Sequence, residues 1–296
     1  MNFLRYRFLY LGLSGILVLG SILAMIGWGL KPAVDFTGGS LLEYRFENRP
    51  STEEIKKVVE NQAGAEVASV QSAGENLVII KTSVLSPDQA SKIASSLGEK
   101  FAQKVSQERF ESIGPVLGKE LLQKTTLAVI LTAGFILLYV GWTFKNMQYG
   151  VSAILAMFHD SMILLGSFAV LGHYSGVEVD TLFVTAVLTT LSFSVHDTVV
   201  VYDRIREARR QYPKVEFQEI ANKAITETMG RSLNNSLTII FMLTALWLLG
   251  GSTIQWFVVA LLIGTITGTY SSPFVAVPLL LVWEKWVNRR GKKPGY

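Results

Sequence analysis

No cysteine occurs in the 296 residues, which excludes disulfides and thiolate metal sites. Charge is scarce as well: Asp, Glu, Lys and Arg make up 17% of the chain, against 50% hydrophobic residues, and the mean hydropathy is +0.37. Soluble domains carry about a quarter charged residues, so this composition belongs with membrane proteins. No Walker loop, GxGxxG, HExxH or GxSxG stretch is present. ATP hydrolysis on this chain is therefore unsupported, no cofactor is expected, and the chain does not read as an enzyme.

What the chain has instead is apolar runs long enough to cross about 30 Å of hydrocarbon. Six of them fall near Phe8–Leu30, Thr126–Phe144, Val151–Gly172, Thr181–Val201, Leu233–Leu249 and Trp256–Trp283. They predict a polytopic α-helical membrane protein with six transmembrane helices. The first run exceeds the apolar core of a signal peptide, and Lys31-Pro32 stands where a small-residue cleavage site would be, so it reads as an uncleaved anchor.

Lys and Arg set the orientation. Arg5, Arg7, Lys145, the Arg-rich stretch from Arg204 to Arg231 and the tail from Lys285 to Lys293 share one side, whereas the short loops His173–Asp180 and Gly250–Gln255 have neither residue. Both termini are thus expected on the cytoplasmic side. The net charge of +4 reflects this topology, and the basic tail reads as a contact with lipid headgroups rather than a nucleic-acid patch. The expected divisions are a first membrane helix (1–30), an extracytoplasmic domain (31–124), a five-helix bundle (125–285) with a cytoplasmic connection at 203–231, and the tail (286–296).

The extracytoplasmic stretch has soluble character. Leu41–Phe46 alternates as a strand, and the capping box of Ser51 and Glu54 opens a helix with Ile55, Val58 and Val59 on one face. Glu66–Gln71 and Asn76–Lys81 read as strands about a turn at Ala73-Gly74. Ser86-Pro87 caps a second helix lined by Ile93, Leu97 and Phe101, and Arg109–Ile113 forms a last strand. The order β-α-β-β-α-β is that of a ferredoxin-like α+β domain. Beyond Pro213, the spacing of Phe217, Ile220, Ala221, Ala224 and Ile225 suggests a helix lying along the inner leaflet.

Ionisable residues inside apolar spans are costly and usually mark ion paths or proton relays. His196-Asp197 lies in the fourth span, about 9 Å from its cytoplasmic end at 1.5 Å per residue. Arg231, at the start of the fifth, could reach a similar depth, so Asp197 and Arg231 form either a switchable proton site or a static ion pair. His159-Asp160 near the centre of the third span is either a second relay station or a satisfied polar contact. As metal ligands these pairs are poor, because adjacent helical residues point about 100° apart. Asp35, Gly38 and Gly39, with Gly114 and Pro115, form a structural joint after the first span. Glu178 and Asp180 at the outer mouth either attract protons or are solvated acids. Gly264 and Gly268 make a small-xxx-small pattern for close helix packing, and Pro273 and Pro278 should bend the last span.

These residues also carry a resemblance. The stretches Asp35–Gly39 (DFTGG), Ile113–Gly118 (IGPVLG, with Gly114 and Pro115), His159-Asp160, Ser194–Glu207 (SVHDTVVVYDRIRE, with Asp203, Arg204 and Arg206 at its cytoplasmic end), Arg231–Asn234 (RSLN) and Gly268–Ser272 (GTYSS) occur in order along the chain. Together they are similar to the motifs of the SecD/SecF family, in its SecF branch, within the RND superfamily. The resemblance implies a subunit of the bacterial cytoplasmic (inner) membrane that pairs with SecD beside the SecYEG translocon, with YajC associated. It would use the proton gradient to help move preprotein on the extracytoplasmic side. It also implies that Asp197 and Arg231 belong to the proton path; His196 stands where the family commonly has Asn. An RND-type exporter of lipids or hydrophobic compounds and a non-transporting scaffold subunit are the other readings.

Overall fold

The computed structural model describes residues 3–63, 66–73, 76–144 and 146–291. The expected turn at Ala73-Gly74 lies partly outside the described residues, as do Lys145 and residues 292–296 of the basic tail. The chain divides into two compact units, one of residues 32–127 and one of residues 1–31 with 128–296.

A 3₁₀ turn (Phe3–Tyr6) leads into helix α1 (Arg7–Trp28). The first unit then opens with a single turn α2 (Val34–Thr37), strand β1 (Gly39–Phe46), helix α3 (Thr52–Ala63), strands β2 (Val67–Ala73) and β3 (Leu77–Thr82), helix α4 (Pro87–Phe101) and strand β4 (Val105–Ile113). The strands pair antiparallel in the order β2-β3-β1-β4. Alternation decides which face of β1 is buried: Leu42, Tyr44 and Phe46 enter a core with Ile55 and Val59 of α3 and Ile93 and Leu97 of α4. Both helix starts are fixed by side-chain oxygens. Ser51 accepts from the Glu54 amide at 3.3 Å, and Ser86 and Gln89 form a complete capping box. Gly38 and Gly39 sit at φ +75° and +123°, and a Cβ on Gly38 would lie 2.7 Å from Cα of Pro115. The joint therefore needs glycine both for its backbone conformation and for room. Gly114 faces open space.

Five further helices follow: α5 (Pro115–Phe144), α6 (Met147–Ser175), α7 (Thr181–Gln211), α8 (Phe217–Leu249) and α9 (Ser252–Ser271). A π-helical segment (Ser272–Ala276) joins α9 to α10 (Val277–Gly291). Among the described residues six helical stretches are long and apolar enough to cross a membrane, α9 through α10 counting as one. Half of the most apolar window is buried in α6, α7 and the last span, against 11% in α1, α5 and α8. The first three are the core of the bundle, and the others turn apolar faces outward, Phe8, Phe135 and Phe241 among them. Within the bundle α7 packs on α9, α6 and α8, and α1 packs on α6.

Two features depart from the sequence reading. The connection expected over 203–231 is mostly helical, because α7 runs on to Gln211 and α8 starts at Phe217. The helix expected along the inner leaflet is the first part of α8, continuous with the fifth span. Nothing between Thr226 and Ser232 breaks it, and Ile220, Ala221, Ala224 and Ile225 are buried in the bundle core instead of facing lipid. In the last span Pro273 sits in the π segment. A residue without an N–H in mid-helix widens the turn there, and such widenings recur at functional sites.

Candidate functional site

Asp160, midway along α6, and Asp197 on α7 are 1% and 4% exposed. Leaving a carboxylate at such depth without partners would be costly, so their contacts decide what they can do. Oδ2 of Asp160 accepts from Ser194 on α7 at 2.5 Å and from Ser271 on α9 at 2.7 Å. Its Oδ1 lies 2.9 Å from Nδ1 of His159, and the Tyr270 hydroxyl is 3.2 Å from Nε2 of the same ring. If Nδ1 donates its proton to the carboxylate, Nε2 is left to accept from Tyr270. Three helices are thereby tied to one carboxyl group.

Asp197 takes its bond from α8: the Ser232 hydroxyl donates to Oδ2 at 2.6 Å. The seam continues along α7, where Thr198 pairs with Ser272 at 2.9 Å and Tyr202 donates to the carbonyl of Ala276 at 2.9 Å. Ser194, Thr198 and Tyr202 are four residues apart, so they stack on one face of α7 toward α9 and the π segment. Close approach here depends on glycine. A Cβ on Gly264 would enter the Thr190 side chain, and one on Gly268 would come within 3.3 Å of the Ser194 Cα.

Hydroxyl partners matter chemically. A serine or tyrosine hydroxyl both donates and accepts, so it can satisfy a carboxylate and also a protonated carboxyl. A fixed guanidinium favours only the ionised form.

The expected Asp197–Arg231 contact is not formed among the described residues. Successive residues on α8 turn by about 100°; Ser232 faces Asp197, and Arg231 is exposed. Arg231 borders a cavity of about 610 Å³ with Asp203, Arg204, Glu207 and Glu227. By the same turn His196 is exposed while Asp197 is buried. Of the basic-end candidates, Arg204 bonds Glu207 at 2.6 Å and Glu227 at 2.5 Å. Arg206 lies 3.3 Å from Asp203 and donates to the carbonyl of Thr143. At the opposite end Asp180 caps α7 by accepting from the Phe183 amide at 2.7 Å; Glu178 sits on the short connection before it. Asp35 lies in the single turn α2, in the chain's other unit. Sequence reasoning named Asp160, His159 and Asp197 but gave no role to Ser194, Ser232, Tyr270 or Ser271. Hydroxyls spaced to share a helix face with buried acids are the signal that could have found them.

Residues 93–286 match the family model described as protein export membrane protein SecD/SecF, C-terminal. Translocase subunits named SecF from Anaerolinea thermophila and Thermobaculum terrenum are each 38% identical to the chain, over 99% of it and 99% of the relative in the first case, and 96% and 94% in the second. The crystal structure of SecDF from Thermus thermophilus, described as a translocon-associated membrane protein, superposes with a TM-score of 0.85 at 29% identity over 96% of the chain. A SecDF structure in a super-membrane-facing form gives 0.71 over 98%. The chain spans only 39% and 40% of those two structures' chains. With its six apolar helices and buried polar seam, the chain belongs to the SecD/SecF family of protein-export membrane proteins, as a SecF.

Proposed function

We propose that the chain is one half of a SecD–SecF pair in the bacterial cytoplasmic membrane, and that it uses the proton gradient to assist preprotein translocation through the SecYEG translocon. The observation that carries the reading is the pair of buried carboxyl groups, Asp160 and Asp197, bonded to hydroxyls that suit either protonation state. One proton moving down ~100 mV releases roughly 2.3 kcal/mol, enough to bias a bistable packing of helices. The hinge of this change is the seam between α7 and the π segment, where Thr198 meets Ser272 and Tyr202 meets the Ala276 carbonyl.

The exposed apolar faces of α1, α5 and α8 suit lipid and a second membrane subunit, SecD, with YajC as a further neighbour. Exposed His196 and Arg231 would then meet SecD, and Arg231 would approach Asp197 only in another state of the cycle. The 32–127 unit, with strand order β2-β3-β1-β4, is read as a ferredoxin-like domain on the extracytoplasmic side that engages emerging preprotein, with both termini cytoplasmic.

The test is translocation of a preprotein in inverted membrane vesicles, with and without an imposed proton gradient, for wild type, Asp160→Asn and Asp197→Asn. The reading expects both variants to assemble normally and to lose the gradient-dependent part of the rate. A gradient-dependent rate equal to wild type in both variants would refute it.

A further inference from the structure

At the basic end of the bundle a cavity of about 450 Å³ opens between the end of α5, the start of α6, the last turns of α7 and α10. Its polar wall is Arg206, Arg209 and Arg210 from α7, Asn146 and Gln148 at the start of α6, and Glu284 of α10. Three guanidiniums within five residues meet two carboxylates, Glu284 in the wall and Asp203 beside Arg206, and each is oriented differently. Arg209 is held by Glu284 at 2.8 Å. Arg206 is anchored by the Thr143 carbonyl at 3.0 Å and by Asp203 at 3.3 Å. Arg210 is exposed at the rim. A guanidinium has five N–H donors, so one held at a single edge still presents the rest to a second anion. Phe144 stacks on Tyr149 and packs edge-on against Tyr202.

The level of this cavity selects its ligand. All four walls are the ends of membrane-length helices, which is where headgroups lie. Trp142 and Tyr139, in the last turns of α5, are 76% and 51% exposed, in the manner of an interfacial aromatic belt. Leu131, Phe135, Leu138 and Trp142 line the exposed face of α5, which at about 100° per residue lies on the far side of the helix from Val140 and Phe144, so they mark the membrane level and not the cavity wall. A cationic cup at the headgroup level matches the phosphate of an anionic phospholipid.

We infer that this cavity is a binding site for the phosphodiester headgroup of an anionic phospholipid. The site stands independently of how protons are used.

The test uses the purified full-length protein in detergent micelles and native mass spectrometry, with phosphatidylglycerol, cardiolipin, phosphatidylcholine and inorganic phosphate as probes. Wild type should retain the two anionic lipids in preference to phosphatidylcholine, and millimolar inorganic phosphate should not displace them. Arg206→Gln with Arg210→Gln should weaken anionic-lipid binding about 30-fold, the equivalent of ~2 kcal/mol at about 1 kcal/mol per cationic side chain. Arg210→Gln alone, at the exposed rim, should weaken it by about fivefold, which guards against a folding defect in the double variant. Arg204→Gln removes the same charge but points to Glu207 and Glu227, and should leave lipid binding unchanged. Equal retention of phosphatidylcholine, displacement by inorganic phosphate, or the same loss in Arg204→Gln would each overturn the assignment.

Discussion

The hydroxyl of Ser232 donates to Oδ2 of Asp197 at 2.6 Å, joining α8 to α7 where the acid is 4% exposed. This single bond is the described partner of that acid across the helix interface. Removing one partner of a buried hydrogen bond costs about 1–3 kcal/mol, so Ser232→Ala should destabilise the bundle by about that amount and Ser232→Thr by much less. Thermal unfolding in detergent checks this; an alanine variant as stable as wild type would show that the bond contributes nothing.

The crossing of α7 and α9 rests on Gly264, whose added Cβ would meet the Thr190 side chain. Gly264→Val should therefore lower stability by about 1–3 kcal/mol through overpacking. Thr190→Ala in the same chain should recover part of the loss, because the two residues are in contact and their effects are coupled. A double-mutant cycle in thermal unfolding measures the coupling; strictly additive effects would contradict the contact.

In the 32–127 unit, Glu43 is 4% exposed on β1. Its described ion-pair partner is Arg109 on the paired strand, at 3.5 Å. Removing one member of a fully buried pair costs about 3–5 kcal/mol. Here the Arg109 side chain is 23% exposed and also pairs with Glu111 at 2.7 Å, so the cost is smaller, but Glu43 is still left uncompensated. Arg109→Ala should accordingly loosen the sheet more than Glu43→Gln with Arg109→Ala does. Hydrogen exchange of the β1 and β4 amides in the full-length protein reads the difference.

The same sheet offers a pH-dependent site. Hydrogen bonds from Arg45 and Ser106 hold the Glu108 carboxyl below its usual range. A carboxyl with a lowered folded-state pKa contributes stability above the unfolded value and loses it as pH falls through the folded one. The contribution is small because the group is exposed. Carbon-detected NMR titration should place Glu108 below 4.5 in wild type and return it toward 4.5 in Arg45→Ala; an unchanged titration would remove Arg45 as the cause.

Much of the architecture could be read from local chemistry. The alternation of Leu42, Tyr44 and Phe46, the Ser51 and Ser86 caps and the six apolar runs rest on interactions within a few residues, and each element stands near its expected place. The polar seam depends on helix phase. Whether Arg231 or Ser232 faces Asp197 is a rotation of about 100° that only the packing of α8 on α7 decides. The continuity of α8 was hidden for a related reason: a moderately polar stretch followed by an apolar one reads as two elements, although nothing breaks the backbone and Gly230 faces open space. Serines and threonines are ordinary in membrane helices, so Ser194 and Ser271 acquire meaning only once both are seen on Asp160.

The central claim is that buried carboxyl groups in this seam gain and lose protons. Infrared difference spectroscopy of the protein in lipid discs, recorded between high and low pH, observes the carboxylic C=O stretch directly. The account predicts a band from protonated buried carboxyl groups that grows as pH falls and is diminished in both Asp160→Asn and Asp197→Asn. A wild-type spectrum without such a band, or one that both variants leave unchanged, would contradict it.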